Sequence, residues 1–352
     1  MTGQTSKTIL EYIWIGGKNE IRSKTKFSPY FLPSNDIYLL EWNYDGSSTW
    51  QADSNGDTEI ILKPCAIFKD PFRHIKNTEC YLVLCETFKP TGEPTETNHR
   101  NTASRFFKNT EEEPWFGLEQ EFFFNHYKNG TNNEITDINE INDIIPRGYH
   151  YCGITQKHSE RIIMEKLLEM CIEAGITISG INAEVEKSQW EFQIGPCEGI
   201  DLGDHMIVAR YILERLAEQI DATIDYQPKP ETNKNGSGCH INFSTYSSRS
   251  ENGIEYIYQY IEKLEKKHNE HIEVYGENNH LRLTGFHETS SIDKFSWGIG
   301  TRNTSIRIPN QVFKDKSGYF EDRRPAANID PYQATFKLFK TCCLDKIDVF
   351  RF

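Results

Sequence analysis

Trp115-Phe-Gly-Leu-Glu119-Gln-Glu121-Phe-Phe-Phe124 sets two carboxylates two positions apart in an otherwise aromatic and apolar stretch. Such a composition favours a strand, whose alternate side chains share a face. Glu119 and Glu121 then project together, roughly 7 Å apart by strand rise, with Phe116, Leu118, Phe122 and Phe124 on the opposite face. Neighbouring carboxylates repel unless a positive group sits between them, and a divalent cation is the obvious one. A half-buried strand with a solvated acidic face is the plainer alternative. The rest of the chain has to decide between the two.

Other short segments repeat the pattern. Gln189, Glu191 and Gln193 alternate with Trp190, Phe192 and Ile194; His240 and Asn242 with Ile241 and Phe243; Ser305 and Arg307 with Ile306 and Ile308. Asn182-Ala-Glu184-Val adds a further acid. Singly, each is more often a half-exposed strand than a site, and a lone His240 is more often structural. Together they describe a sheet with Glu, His and Arg on one face and helices over the other, a funnel-shaped site. The donors are mostly glutamates with one histidine and no paired cysteines, which favours Mg²⁺ or Mn²⁺ over structural Zn²⁺. Arg282, Arg302, Arg307, Arg323 and Arg324 lie close in sequence to these carboxylates and suit capture of phosphate and carboxylate. Hard cations with arginines equip a site for phosphoryl transfer. The chain has neither a GxxxxGK[ST] loop nor kinase HRD and DFG motifs, so neither common nucleotide fold applies. Glu321-Asp-Arg-Arg324 alone also reads as a surface ion-pair cluster.

The 352 residues suffice for a sizeable core and two domains. A hydrophobic content of 37% and mean hydropathy of −0.64 fit a polar globular protein. A net charge of −13 argues against nucleic acid or an anionic membrane as partner. No apolar run approaches the roughly 20 residues of a membrane span, and the N-terminus lacks a secretion signal's apolar core, so a cytoplasmic location is expected. Nine scattered cysteines without a CxxC pair read as reduced thiols. Glycosylation triplets at Asn129, Asn235, Asn242 and Asn303 read as chance occurrences.

Along the chain, residues 11–26 alternate around Gly16-Gly17, a hairpin signal. Asp45-Gly46 marks a turn, and residues 59–62 and 81–85 are strand-like. Residues 1–88 therefore read as a small β-rich domain, 89–96 as a linker and 97–352 as an α+β domain. Helices are expected at 97–108, at 158–174 with Gly175 ending it, from a capping Asp204 to about residue 220, around Ile254, Ile257, Ile261 and Leu264, and at 332–343.

The chain resembles the eukaryotic-type (class II) glutamine synthetases. The matching stretches are Asn43-Tyr-Asp-Gly-Ser-Ser-Thr49, Trp115-Phe-Gly-Leu-Glu-Gln-Glu121, Asn182-Ala-Glu-Val185, Gln189-Trp-Glu-Phe-Gln-Ile-Gly-Pro-Cys-Glu-Gly199, Asn235-Gly-Ser-Gly-Cys-His240, Arg282-Leu-Thr-Gly-Phe-His-Glu-Thr-Ser290, Ser305-Ile-Arg-Ile-Pro309 and Gly318-Tyr-Phe-Glu-Asp-Arg-Arg-Pro325. They follow the family's order and cover nearly the whole chain. The resemblance implies an α+β fold: a small N-terminal β-grasp domain followed by a catalytic domain with an antiparallel β-sheet funnel flanked by helices. It implies ATP-dependent ligation of ammonia to L-glutamate through γ-glutamyl phosphate, giving L-glutamine, ADP and phosphate.

Carried onto matching positions, Glu121, Glu184 and Glu191 would hold one Mg²⁺ or Mn²⁺ beside glutamate. Glu119, His240 and Glu321 would hold another at the ATP phosphates, with a third ion often between them. Arg282, Asn235 and Gly236 would bind the amino-acid end of glutamate. Arg302, Arg307 and Arg323 would neutralise the transferred phosphate, with Arg302 and Arg323 also touching substrate. Trp115, Ser244, Arg307 and Tyr319 would belong to the nucleotide region. Asp45 would take the proton from ammonium, reaching the site from a neighbouring subunit, and Glu288 would close over glutamate. A homo-oligomer follows, typically two pentameric rings forming a decamer. The chain starts close to its first strand, where class II members usually carry a longer extension that contacts other subunits. Phe122-Phe-Phe124 is more aromatic than the family's usual continuation. A γ-glutamyl ligase using another amine is the alternative within the fold. An inactive relative would be expected to lack metal glutamates or phosphate arginines, and none is missing.

Overall fold

In the computed structural model, which describes residues 7–52, 56–108, 110–126, 149–154, 157–231 and 234–345, β1 (Lys7–Ile15) and β2 (Ile21–Ser28) form the hairpin around Gly16-Gly17. Gly17 lies against the loop that follows Asp45, where a Cβ would come within 2.5 Å of the Trp50 carbonyl oxygen. Only glycine allows that approach. With β3 (Trp42–Asp45), β4 (Glu59–Lys69) and β5 (Thr78–Phe88) the hairpin makes a five-stranded sheet in the order β2-β1-β5-β4-β3. Its central β1–β5 pair is parallel, as in a β-grasp arrangement. A single-turn helix, α1 (Ser34–Ile37), crosses one face and buries Ile37, which the sequence pattern does not signal.

The second sheet has eight strands among the described residues: β6 (Trp115–His126), β7 (Ile178–Ala183), β8 (Gln189–Glu198), β9 (Ala222–Asp225), β10 (Cys239–Ser244), β11 (Trp297–Ile299), β12 (Ile306–Ile308) and β13 (Phe320–Asp322). Their order is β11-β12-β13-β10-β6-β8-β7, with β9 paired to the far end of β6. All pairs are antiparallel apart from β11–β12, where the expectation of an antiparallel sheet gives way at one edge.

Helices α2 (His99–Phe107), α3 (His158–Ala174), α4 (Asp201–Ala217), α5 (Tyr246–Arg249), α6 (Ile254–Lys266), α7 (His268–Ile272), α8 (Asn310–Asp315) and α9 (Pro331–Phe339) accompany this sheet. Gly175 ends α3 in the left-handed conformation at φ 84°. Asp204 is not a cap. It lies inside α4, buried, where Arg100 Nε at 2.7 Å and the Tyr332 hydroxyl at 2.7 Å both donate to its Oδ1. The helix begins three residues earlier because an aspartate within the first turn is favoured by the helix dipole as well as at the cap.

Ile207, Val208, Tyr211, Ile212 and Leu216 of α4 are buried behind the second sheet, and each such side chain contributes roughly 1.5–3 kcal/mol. Ile13, Phe68, Leu82 and Leu84 on one face of the first sheet join the same apolar cluster, while Leu10, Tyr12, Trp14, Ile37, Leu62 and Val83 form a separate core on its other face. All nine cysteines are free thiols. No helix among the described residues is long and apolar enough to cross a membrane.

Candidate active site

β6 is the axis of the second sheet. Its register sets Glu119 opposite His240 of β10 and Gln193 of β8, and Glu121 opposite Glu191. Phe116, Leu118, Phe122 and Phe124 are buried on the reverse face, as strand alternation requires. Gln120, on that same face, is also fully buried. Arg210 of α4 donates to its Oε1 from Nε at 2.9 Å, and also donates to the carbonyls of Ile329 at 3.0 Å and Ala327 at 3.1 Å. One buried guanidinium therefore holds the strand between its two carboxylates.

Two donor clusters result. Glu119, His240 and Glu321 offer ligand atoms within 4.8 Å of one another, and so do Glu121, Glu184 and Glu191. His240 Nδ1 lies 3.5 Å from Glu119 and 3.4 Å from Glu321, while Arg282 Nη2 donates to its Nε2 at 2.9 Å. Burial, then the charge of Arg323, holds the imidazole well below its usual pKa, so it is neutral. Nε2 accepts from Arg282 here, and holding a cation at Nδ1 would require the tautomer with its proton on Nε2. In the second cluster, burial followed by the Glu121 charge pushes Glu184 up to about 8. Glu191 is raised well above the usual carboxylate range by burial, then by Glu121, Glu119 and Glu184. Burial also raises Glu121, against the charge of Arg282. Carboxylates compressed this far are relieved by a cation. Both donor sets, oxygen-rich with a single imidazole, fit hard divalent ions.

Arginines close the rim. Arg323 donates to Glu321 Oε1 at 2.6 Å and Arg307 to Oε2 at 3.2 Å. Arg323 Nε also donates to the Arg302 carbonyl at 3.0 Å, and Arg302 lies 3.4 Å from Glu288. Arg282 is buried, anchored by the carbonyls of Arg323 at 3.1 Å and Arg324 at 3.3 Å. Arg324 itself turns inward, pairing with buried Asp322 at 2.6 Å, so the Glu321-Asp-Arg-Arg324 run is divided between site and core. Asn235 is buried, with its backbone N–H on Glu186 at 2.9 Å, and the Gly236 carbonyl accepts from Gln189 at 3.1 Å. A Cβ on Gly238 would sit 2.5 Å from Arg282 Nη2 and 2.7 Å from His240 Nε2, so glycine is what lets these groups converge. With Asn235 buried and Asn242 bonded to Glu119 at 2.8 Å, neither is a glycosylation acceptor; Asn129 lies outside the described residues.

Trp115, Ser244 and Tyr319 line, with Glu119, Asn242 and Pro196, an open cleft of about 410 Å³ beside the first cluster. Arg307 is not among its lining residues; it stands at Glu321 instead. Arg249, not singled out in the sequence, stacks 4.0 Å from the centroid of the Trp115 ring and donates to Ser244 Oγ at 3.0 Å. The only local signal is an arginine one helical turn beyond a strand end, which is too common to notice. Tyr151 was missed likewise. Its ring lies 5.7 Å from the Arg302 guanidinium, and burial raises its pKa while a hydrogen bond to Arg302 opposes the rise.

One expected residue stands apart from the clusters, and another joins them only through the rim arginines. Asp45 is exposed on the first sheet, and its carboxylate accepts from Ser47 N–H at 3.0 Å and Ser47 Oγ at 2.7 Å. These bonds lower its pKa, which leaves it an anion near neutral pH. Glu288 sits in an exposed loop in which it and His287 both hold positive φ, 64° and 52°. Left-handed backbone at two successive non-glycine residues is strained, a feature concentrated in loops that close on ligands.

Residues 96–262 match the family model for the glutamine synthetase catalytic domain. The glutamine synthetase of Candida glabrata is 47% identical over 344 residues, 97% of this chain and 90% of that protein. That of Saccharomyces cerevisiae is 46% identical over 352 residues, 98% and 92% of the two chains. Among solved structures, a cryo-EM structure of Plasmodium falciparum glutamine synthetase aligns with a TM-score of 0.74 over 97% of this chain and 72% of that one, at 16% identity. That last likeness is one of fold alone. The fungal likeness extends to sequence over nearly the full length of both chains, and by it this chain belongs to the glutamine synthetases of the eukaryotic type.

Proposed function

We propose that this site is a glutamate–ammonia ligase, joining ammonia to L-glutamate at the expense of ATP and yielding L-glutamine, ADP and phosphate. The observation that carries the reading is one strand, β6, feeding two adjacent donor clusters, with Arg282 bonded to His240 of the first and its charge acting on Glu121 of the second. A carboxylate is a poor acylating agent, so the γ-carboxylate is first converted to γ-glutamyl phosphate. That step brings two anions together. Divalent ions, Mg²⁺ or Mn²⁺, held by Glu119, His240 and Glu321 and by Glu121, Glu184 and Glu191, supply charge neutralisation when bound. Arg302, Arg307 and Arg323 neutralise the phosphate being transferred. Arg282, with Asn235 and Gly236, binds the α-amino and α-carboxylate end of glutamate. The nucleotide lies in the cleft of Trp115, Ser244 and Tyr319, with Arg249 ordering the Trp115 ring.

Ammonium prevails at neutral pH, whereas the attacking species is NH₃. Asp45, anionic and on an exposed loop, binds the ion and takes its proton. As the resemblance to the family implies, it serves the site of a neighbouring subunit, and the active assembly is a homo-oligomer, a decamer of two pentameric rings, in the cytoplasm. Residues 1–88 form the domain that lends Asp45, and residues 97–352 the catalytic domain, joined through 89–96. Glu288 and its strained loop close over glutamate and keep water from the acyl phosphate. The test is ADP release with glutamate and Mg²⁺ against a panel of amines: ammonium supports turnover, and no glutamate-dependent turnover with any amine contradicts the reading.

A further inference from the structure

Behind the Glu121, Glu184 and Glu191 cluster lies a fourth carboxylate with a different set of partners. Glu160, in the first turn of α3, is fully buried. Its Oε1 accepts from His126 Nε2 at 2.8 Å and from Ser188 Oγ at 2.8 Å, and its Oε2 accepts from Trp190 Nε1 at 3.2 Å. These donors come from three separate places. His126 ends β6, the strand of Glu121. Ser188 closes the β7–β8 turn that opens with Glu184, and Trp190 immediately precedes Glu191. Each stretch that delivers one ligand of the cluster is thus tied from behind to the same carboxylate.

The surroundings favour an orienting role. Burying a carboxylate costs several kcal/mol before its bonds return any of it, and a helix face packed on apolar strands is served as well by leucine. Ser188 holds φ 62°, a conformation that serine adopts at a cost, and its side chain is fixed by Glu160. The turn is cross-tied further: Phe124 N–H donates to the Ser188 carbonyl at 3.0 Å, and Glu184 N–H to the Gln189 carbonyl at 2.9 Å. A shift of the turn therefore moves Glu184 relative to Glu121 and Glu191.

We infer that Glu160 is a positioning residue that fixes the spacing of Glu121, Glu184 and Glu191, and thereby the affinity of their cluster for a divalent cation. The inference rests on the reading that this cluster holds such an ion. It acts through His126, Ser188 and Trp190, one step further out than groups hydrogen-bonded directly to metal ligands. Those groups typically account for about 10–100-fold in affinity, so the lower end of that range is expected.

The test is direct titration of the purified full chain with Mn²⁺, followed by electron paramagnetic resonance without nucleotide or glutamate, alongside the melting temperature. Glu160→Gln keeps the side chain's size but turns an N–H toward its donors, and Mn²⁺ binding at one site should weaken by about tenfold. Ser188→Ala, which removes one donor and leaves the carboxylate, should weaken the same site by a smaller factor, and it decides the matter should Glu160→Gln not fold. Lower melting temperatures with unchanged Mn²⁺ affinity in these variants would overturn the inference, leaving Glu160 a purely structural residue. Glu191→Gln is the separate control. If it too leaves Mn²⁺ binding unchanged, the cluster is no cation site, and the reading on which the inference rests fails with it.

Discussion

Glu184 carries the charge balance of the site in a form that pH can read. Raised from 4.5 to about 8, it keeps a proton in the folded state that the unfolded chain gives up. Its stabilising contribution is therefore fully present below about pH 4.5 and is lost as pH rises through about 8. Glu191 and Glu121 shift in the same direction. In a chelator, the melting temperature should fall between about pH 4.5 and pH 8. The increment from Mg²⁺ or Mn²⁺ should grow over that window, because the cation replaces the proton. An increment that shrinks as pH rises would contradict the clustering of these carboxylates. Asp45 supplies a second prediction at this scale. Asp45→Ala should impair glutamine formation far more than formation of the acyl phosphate, trapped with hydroxylamine; equal loss of both would argue against its role as the ammonium base.

At the level of elements, β6 depends on what holds its reverse face. Arg210→Met would leave Gln120 Oε1 and the Ile329 carbonyl without their donor, and the Ala327 carbonyl with Gln120 Nε2 alone. A loss of about 3 kcal/mol in urea unfolding is expected. A loss under about 1 kcal/mol would mean the tie is dispensable. This tie also marks where the sequence stops being legible. The alternation of β6, β8 and β10 could be read because one face had to be polar, and the periodicity of α3 and α6 because each buries one stripe. Gln120 reads as a mere spacer between two glutamates, since its partner is 90 residues away. Asp204 was mistaken for a cap because an aspartate ahead of an apolar run suits both a cap and a buried pair, and only the position of Arg100 separates them. Arg249 and Tyr151 escaped for the same reason. Their meaning lies in a ring and a guanidinium that the chain brings to them from far away.

On the scale of the whole molecule, the separation of Asp45 from the donor clusters is the main consequence of the two-sheet architecture. The groups proposed to bind glutamate and cations lie on or beside the second sheet, and the proposed ammonium base on the first. If sites form between subunits, two inactive variants should rescue each other. Co-assembly of Asp45→Ala with Glu191→Gln should recover about a quarter of wild-type activity, the share of interfaces that random mixing leaves intact. No recovery in verified mixed assemblies would place Asp45 and the clusters in the service of one chain.

The central claim is that Glu119 and Glu121 direct two cation clusters toward one amide-forming reaction. Its most direct test is glutamine formed from glutamate, ammonium, ATP and Mg²⁺ by the purified protein, measured together with ADP, in the wild type and in Glu121→Gln. The prediction is one glutamine per ADP in the wild type, with turnover reduced by about a hundredfold or more in the variant. ADP release without glutamine, or a variant that retains wild-type turnover, would contradict it.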